Sequence, residues 1–225
     1  DGMKTYSWIL VAMAFCLYPM LGWHHEWITR KSLAPRGGLS FPQRVCLQVP
    51  HFHQGDARWG QDLLGSTPSS LAKEGCAVSC AAMVLASYGV NTQPGHLNQF
   101  LQKRPGGYAE RGWIEWQFAA EVDPSVLPHL LPHYEDLPSY ALIDLSLLAG
   151  NPVIIRVRSP TNTTHFMVIV GKEGDRYLVL DPGKDAHHAL YPLDLYGSNI
   201  EALRFYRKPP SCCAPVQVAS FSKRD

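Results

Sequence analysis

The sequence predicts an α+β domain that follows an apolar N-terminal segment. Two observations give the fold class: helical patterns occupy the chain from about residue 69 to residue 149, and β-branched runs separated by Gly or Pro turns come after them. A third observation is that residues 6–23 contain no charged side chain. We therefore expect helices packed on an antiparallel sheet, with a transmembrane or signal-anchor helix in front of them.

The apolar segment is long enough to form a membrane-spanning helix. Residues 6–23 as a helix would extend about 27 Å, which is close to the bilayer core of about 30 Å. Trp8, Trp23 and Trp27 lie near its ends, as aromatic residues at membrane interfaces do. A cleaved signal peptide and a buried core helix are the alternatives. We favour an uncleaved anchor because no good cleavage site follows the segment: Met20-Leu21-Gly22 has the wrong residue three positions back, and the stretch that ends at Ala34 is followed by Pro35.

The orientation of such an anchor depends on two conflicting signals. Lys4 precedes the segment, whereas Arg30, Lys31 and Arg36 follow it, and the positive-inside rule would then place the domain in the cytoplasm. A short N-terminus before a large domain is more typical of a signal anchor with the domain outside. We expect a single-pass protein with an extracytoplasmic domain, possible contact with a membrane protein complex, and membrane contact through residues 6–23.

The predicted elements divide the chain into four regions. These are an anchor at 1–27, a basic Pro- and Gly-bearing linker at 28–44, a domain at 45–208 and a tail without clear periodicity at 209–225. Within the domain, the sequence pattern predicts helices at 69–89, 94–101, 113–121 and 139–149, and Gly89 and Gly150 terminate the first and the last of them. The predicted strands are 45–49, 152–158, 165–170, 176–180 and 203–206.

The composition excludes several classes of protein. The chain is 46% hydrophobic and 17% charged, which is unlike a disordered chain. Lys and Arg number 20 against 19 Asp and Glu, so the net charge of +1 argues against a nucleic-acid partner. None of the six cysteines forms a CxxC pair, and the adjacent histidines at 24–25 and 187–188 have no partner at ligand spacing. We expect neither a metal nor a cofactor.

Four residues form a possible catalytic set. Cys76 lies at the start of a predicted helix, where the positive end of the helix dipole favours the thiolate. His165 begins a predicted strand and can act as a general base. Asp181 ends the next strand, so a hairpin would bring it beside His165, whose tautomer it could fix. Gln54 lies in an upstream loop and has an amide donor suited to an oxyanion.

Each of these residues also has an ordinary structural interpretation. Cys76 could be a small apolar residue in an Ala-rich helix, as we expect for Cys80 one turn later. His165 could be an ordinary strand histidine. Asp181 begins an Asp-Pro-Gly sequence that is equally typical of a turn. The catalytic interpretation rests on the joint presence of all four residues.

The chain resembles the peptidase C39-like family of papain-like cysteine peptidases. The matching motifs, in order, are VPHFHQGDARWG at 49–60, EGC at 74–76, AMVL at 82–85, TQPGHLN at 92–98, GNPVI at 150–154, HFMVIVG at 165–171 and YLVLDP at 177–182. Together they span about residues 45–207. The resemblance implies a papain-like fold with Cys76 as nucleophile, His165 as base, Asp181 as orienting acid and Gln54 as oxyanion donor.

The function expected from this resemblance is a membrane-anchored cysteine peptidase or amidase. Its substrate would be a peptide or a peptide-like amide, cleaved through a thioester on Cys76. The alternative is a non-catalytic C39-like accessory subunit tethered to a membrane protein complex. A transferase that uses the same thioester also remains open. The sequence lacks an ATP-binding or transporter segment, so the exporter role of some C39 peptidases does not transfer.

Overall fold

A computed structural model describes residues 32–109, 112–124, 127–128 and 138–207. The predicted anchor at 6–23 and the predicted tail at 209–225 lie outside these ranges. Within the described ranges, every helix is too short or too polar to cross a membrane.

The described part of the chain is an α+β structure, as predicted. Its helices are α1 (Leu71–Glu74), α2 (Cys76–Ser87), α3 (Pro94–Lys103), α4 (Trp116–Ala120) and α5 (Tyr140–Leu148), with a 3₁₀ helix at Leu193–Leu195. Its strands are β1 (Arg36–Cys46), β2 (Leu127–Pro128), β3 (Val153–Arg158), β4 (Thr164–Leu180), β5 (Leu190–Pro192), β6 (Ala202–Arg204) and β7 (Tyr206–Arg207).

The predicted helix at 69–89 is two helices, because the chain leaves the helical path at Gly75. Gly75 has φ −81° and ψ 12°, which separates α1 from α2. A Cβ added to Gly75 would lie 2.5 Å from the Leu71 carbonyl oxygen, so only glycine allows this close approach. The break makes Cys76 the first residue of a new helix. α2 contains four alanines together with Val78, Met83, Val84 and Leu85, and such an apolar helix is buried on all sides: every residue from 78 to 85 is buried.

The main sheet is antiparallel, with the strand order β1-β4-β3-β6 and β5 paired to the end of β4. β4 contains 17 residues and would span about 56 Å if straight. Its ends nevertheless meet, since His165 Nε2 lies 2.8 Å from Asp181 Oδ1. The segment therefore folds back on itself, and Gly174 has φ +57° near the reversal. The prediction of two strands joined by a turn is confirmed in this sense.

Residues 36–44, predicted as part of a linker, lie instead in β1. This strand pairs antiparallel with β4, with Cys46 opposite Gly171 and Arg36 opposite Arg176. A buried ion pair between Lys172 and Asp144 holds it: Lys172 donates to the Gly37 carbonyl, and the Leu39 N–H donates to Asp144. The sequence suggested a linker because this stretch is basic and Pro- and Gly-bearing, and most of its side chains are indeed exposed. Backbone pairing and the Lys172 contact hold this stretch in a strand, which its side-chain pattern does not predict.

Two hydrophobic clusters cover the two faces of the sheet. One contains α2 with Ile154, Val168 and Leu180. The other contains Ile143 and Leu147 of α5 with Ile155 and Ile169. Alternate residues of β3 thus enter opposite clusters, as the two-residue period of a strand requires.

Candidate active site

The two ends of β4 and the first residue of α2 meet beside one cavity. The cavity has a volume of about 620 Å³, and Gln54, Cys76 and His165 all line it. Asp181 lies directly behind His165, and its side chain is only 2% exposed. The structure therefore brings together all four residues that the sequence analysis singled out.

Cys76 is half-buried at the N-terminus of α2. Its N–H is one of the four at the start of a helix that have no acceptor within that helix. Both the thiol and this N–H lie where the helix dipole stabilises negative charge. Cys80, one turn further on, is fully buried, and burial raises the pKa of its thiol well above the ordinary value. The prediction that Cys80 belongs to the core is confirmed.

His165 makes a hydrogen bond with Asp181 and lines the cavity together with Cys76. Its Nε2 lies 2.8 Å from Asp181 Oδ1, which leaves Nδ1 as the ring nitrogen available to other groups. Burial alone lowers the pKa of His165, but the hydrogen bonds to Asp181 and Cys76 and the charges of both groups outweigh it. Together they raise the pKa of His165 to about 9. The imidazolium form is thus favoured at neutral pH.

Asp181 receives several hydrogen bonds that fix its orientation. Tyr191 donates its hydroxyl to Oδ2 at 2.7 Å, and the Gly183 N–H donates to Oδ1 at 2.8 Å. Burial raises the pKa of Asp181, but the contacts with His165, Tyr191 and Gly183 more than compensate and lower it. His51 Nε2 lies 3.1 Å from the Asp181 carbonyl oxygen. The carboxylate is therefore ionised and aimed at His165.

The tyrosines of this site were not found from the sequence. Tyr191 reaches Asp181 because β5 pairs with the end of β4, with Leu190 opposite Leu180. Tyr196 stacks on the His165 ring with a centroid distance of 5.9 Å. A short strand ten residues after Asp181 was the one signal that could have identified Tyr191, and we predicted no strand there.

Gln54 lines the cavity together with Cys76, but its amide already makes a hydrogen bond within the protein. Gln54 Nε2 donates to the Ala72 carbonyl oxygen at 2.8 Å, and its Oε1 is buried without a hydrogen-bond partner. An amide nitrogen carries two N–H groups, so the bond to Ala72 fixes the side chain and leaves the second N–H. The Gln54 loop is also tied to the triad, because the Gln54 N–H donates to the Pro182 carbonyl at 2.9 Å.

Aromatic and apolar side chains form one wall of the cavity. Trp116 and Phe166 face each other at a centroid distance of 5.2 Å, and Leu64 and Ile114 also line the space. Trp113 is 69% exposed at the same cavity. Such a wall suits the apolar groups of a ligand.

Within the described residues, no three His, Cys, Asp or Glu side chains are grouped in a way that could hold a metal ion. His187 and His188, the one described histidine pair, lie in an exposed turn where the Nδ1 of His188 is 2.9 Å from Asp185.

Three comparisons relate the chain to known proteins. The family model described as the Peptidase_C39 like family matches residues 46–205, a range that includes all four candidate residues. Among solved structures, one described as a C39-like peptidase from Bacillus anthracis is 17% identical, with a TM-score of 0.47. The alignment covers 74% of this chain and 100% of that one. The curated proteins contain no match.

Proposed function

Since the chain belongs to the Peptidase_C39 like family, we propose that it is a cysteine peptidase or amidase with Cys76 as its nucleophile. The observation that carries the proposal is the 2.8 Å contact between His165 and Asp181 beside the cavity that Cys76 lines. A non-catalytic subunit would have no need of a buried, hydrogen-bonded Asp behind a cavity histidine. No contact in the described residues favours that alternative.

The proposed reaction follows from these positions. The Cys76 thiolate attacks the carbonyl carbon of an amide, and the Nδ1–H of His165 gives its proton to the leaving amine as the C–N bond breaks. Water then attacks the thioester and passes a proton to His165, and the C–S bond breaks to release a carboxylic acid. Asp181 bonds Nε2 throughout and stabilises the imidazolium without itself taking the proton.

The proposed oxyanion site consists of two N–H groups. One is the Cys76 N–H at the start of α2, and the other is the second N–H of Gln54 Nε2. The first N–H of Gln54 is held by Ala72 at 2.8 Å, which fixes the amide before substrate arrives. Fixed donors of this kind act without reorganisation in the transition state.

The test of the nucleophile is the rate at which iodoacetamide alkylates each cysteine, measured by mass spectrometry between pH 5 and pH 9. Cys46 is exposed and lies outside the cavity, so it serves as the internal reference. We expect Cys76 to react faster than Cys46 below pH 7, and His165→Ala to remove this advantage. Equal rates at the two cysteines, or no effect of His165→Ala, would overturn the proposal.

Peptide cleavage tests the reaction itself. The wild-type protein is incubated with a mixture of synthetic peptides, and new termini are identified by mass spectrometry. Cleavage that Cys76→Ala abolishes supports the proposal, and the balance of acid and transfer products distinguishes a hydrolase from a transferase.

We also propose that residues 6–23 hold the domain at a membrane, with the domain on the extracytoplasmic side. The support is the uncharged 6–23 stretch with tryptophans near its ends. In vesicle flotation, the full chain should rise with the lipid, and the double variant Ile9→Arg and Leu17→Arg should not. Flotation of both or of neither would contradict the proposal, as would a mature N-terminus that begins after the segment.

A further inference from the structure

The lining of the cavity beside Cys76 contains more cationic than anionic side chains. Besides His165, the charged residues that line it are the cations Lys73, Arg156 and Arg204 and the carboxylate Glu74. The hydroxyl-bearing residues Ser159, Thr163 and Thr164 line the same cavity. The cations adjoin the aromatic wall, since the Arg204 guanidinium lies 5.5 Å from the Trp116 ring centroid and Arg156 stands opposite Phe166.

The position of Arg156 is fixed by the sheet. Arg156 of β3 stands opposite Phe166 of β4, and the neighbouring pair is Val157 opposite His165. Directly opposed residues in an antiparallel sheet lie about 4.5–5.5 Å apart between Cα atoms. Arg156 is one step in the register from the pair that contains the candidate base, and the side chains of Arg156 and His165 both line the same cavity.

The charge of Arg156 is only partly neutralised. Its Nε lies 3.3 Å from Glu201, but the buried Nε atom makes no hydrogen bond. The same Glu201 accepts a hydrogen bond of 2.8 Å from Arg158. One carboxylate thus serves two guanidinium groups of the same strand, and of these two only Arg156 lines the cavity.

We propose that the cavity binds a carboxylate of the substrate at Arg156, which is the residue that determines this specificity. The inference rests on the proposed function and names the substrate class: an amide whose cleaved bond lies next to a carboxylate. A guanidinium matches the two oxygens of a carboxylate, and the neighbouring hydroxyls can donate further hydrogen bonds. The carboxylate is either an acidic side chain or a peptide C-terminus.

The charge preference is measured with two small alkylating reagents of similar size. Iodoacetate carries a carboxylate and iodoacetamide does not. The rate of Cys76 alkylation by iodoacetate divided by the rate with iodoacetamide therefore reports the electrostatic field of the cavity. Arg156→Gln should lower this ratio about fivefold, as expected for one charge near the reaction centre in a partly screened site. His165 and Lys73 attract iodoacetate equally in both proteins and therefore do not affect the comparison.

Arg158→Gln is the matched control. It removes the same charge from the same strand and the same Glu201 contact, but Arg158 does not line the cavity. The ratio in this variant should stay close to the wild-type ratio, and Arg156→Lys should retain most of the preference. An unchanged ratio in Arg156→Gln, or an equal change in Arg158→Gln, would overturn the carboxylate site.

The outcomes separate this inference from the proposed function. If Cys76 does not react with iodoacetamide, the proposed function fails and the inference fails with it. If Cys76 reacts but the ratio does not depend on Arg156, only the inference fails.

Protection of Cys76 from iodoacetamide by tetrapeptides then identifies the source of the carboxylate. The probes are Ac-Ala-Ala-Glu-Ala-amide, Ac-Ala-Ala-Ala-Ala with a free C-terminus, and Ac-Ala-Ala-Gln-Ala-amide. Stronger protection by the first peptide indicates an acidic side chain, and stronger protection by the second a C-terminus, provided that Arg156→Gln removes it. Equal protection by all three peptides would overturn the inference.

Discussion

Two Asp-centred networks lie in this fold, and they differ in their access to solvent. Asp144 binds Lys172 at 2.7 Å and Tyr177 at 2.9 Å, and the side chains of Asp144 and Lys172 are both 0% exposed. Asp181 binds His165 at 2.8 Å, and the His165 side chain is 16% exposed at the cavity. The first network joins β1 and α5 to β4, whereas the second joins the two ends of β4 beside Cys76.

The difference indicates what each network does. A sealed ion pair exchanges no proton with a substrate, and its partner Lys172 also lies 4.3 Å from the Tyr177 ring centroid. We infer a structural role for it. The pair of His165 and Asp181 is partly exposed at the cavity, and its imidazole can be titrated. It can therefore pass a proton to a bound molecule, which is the role that we propose for His165. Substitutions in the first network should therefore affect stability, and substitutions in the second should affect the reaction.

The largest expected effect is on stability, in Asp144→Ala. This substitution leaves Lys172 buried without its carboxylate and removes the acceptor of the Leu39 N–H, so the free energy of unfolding should fall by about 3–5 kcal/mol. Urea denaturation measures the change. Asp175→Ala, which removes an exposed partner of Arg36, is the control and should change stability little. A loss in Asp144→Ala as small as that in the control would contradict the structural role.

Asp181→Asn should lower the rate of substrate cleavage about a hundredfold, because His165 loses the charge that stabilises its imidazolium and the acceptor that fixes its tautomer. The amide has the same shape, so the free energy of unfolding should change less than in Asp144→Ala. The measurements are kcat/KM with a cleaved peptide and a urea denaturation curve. A variant that keeps full activity but unfolds easily would reverse the assignment of the two networks.

The two networks also differ in how far they could be predicted from the sequence. Cys76 on a predicted helix start, with His165 and Asp181 on a predicted hairpin, was enough to predict that these three residues lie together, because strand direction determines which ends meet. Lys172 and Asp144 gave no such signal. They lie on separate elements, and nothing in the local pattern shows that β1 would bring both into the core.

Other parts of the site also depend on contacts that no local pattern encodes. The break at Gly75 was missed because a single glycine in an apolar helical run does not reveal its close approach to Leu71. Tyr191 and Arg156 were missed as site residues because their roles follow from strand register, which a single sequence does not specify. Gln54 was placed correctly beside Cys76, but its bond to Ala72 is a tertiary contact.

The pH dependence gives a third, smaller effect. The pKa of His165 is raised to about 9, so its imidazolium form stabilises the folded protein. This stabilisation is complete below the ordinary pKa of 6.5 and is lost as the pH rises through about 9. The rate of peptide cleavage should therefore hold from neutral pH to about 9 and then fall about tenfold per pH unit. A decline that begins near pH 7 would show that Asp181 and Cys76 do not stabilise the imidazolium.

The smallest expected effect is in Tyr191→Phe. The substitution removes one hydrogen bond to Asp181 Oδ2 and leaves the bonds from His165 and Gly183. A loss of about 0.5–1.5 kcal/mol corresponds to a decrease in kcat of about twofold to tenfold. The alkaline limb of the pH profile should move to lower pH, because a less well oriented carboxylate stabilises the imidazolium less. A change in KM alone would point to a substrate contact instead.

The most direct test of the catalytic assignment is an NMR titration of the His165 imidazole in the wild-type protein and in Cys76→Ala. The wild-type pKa should be about 9, and the substitution should lower it, because the hydrogen bond and the charge of Cys76 are lost while Asp181 remains. A wild-type pKa near the ordinary value of 6.5, or a raised pKa that does not change in Cys76→Ala, would contradict a thiolate–imidazolium pair between Cys76 and His165.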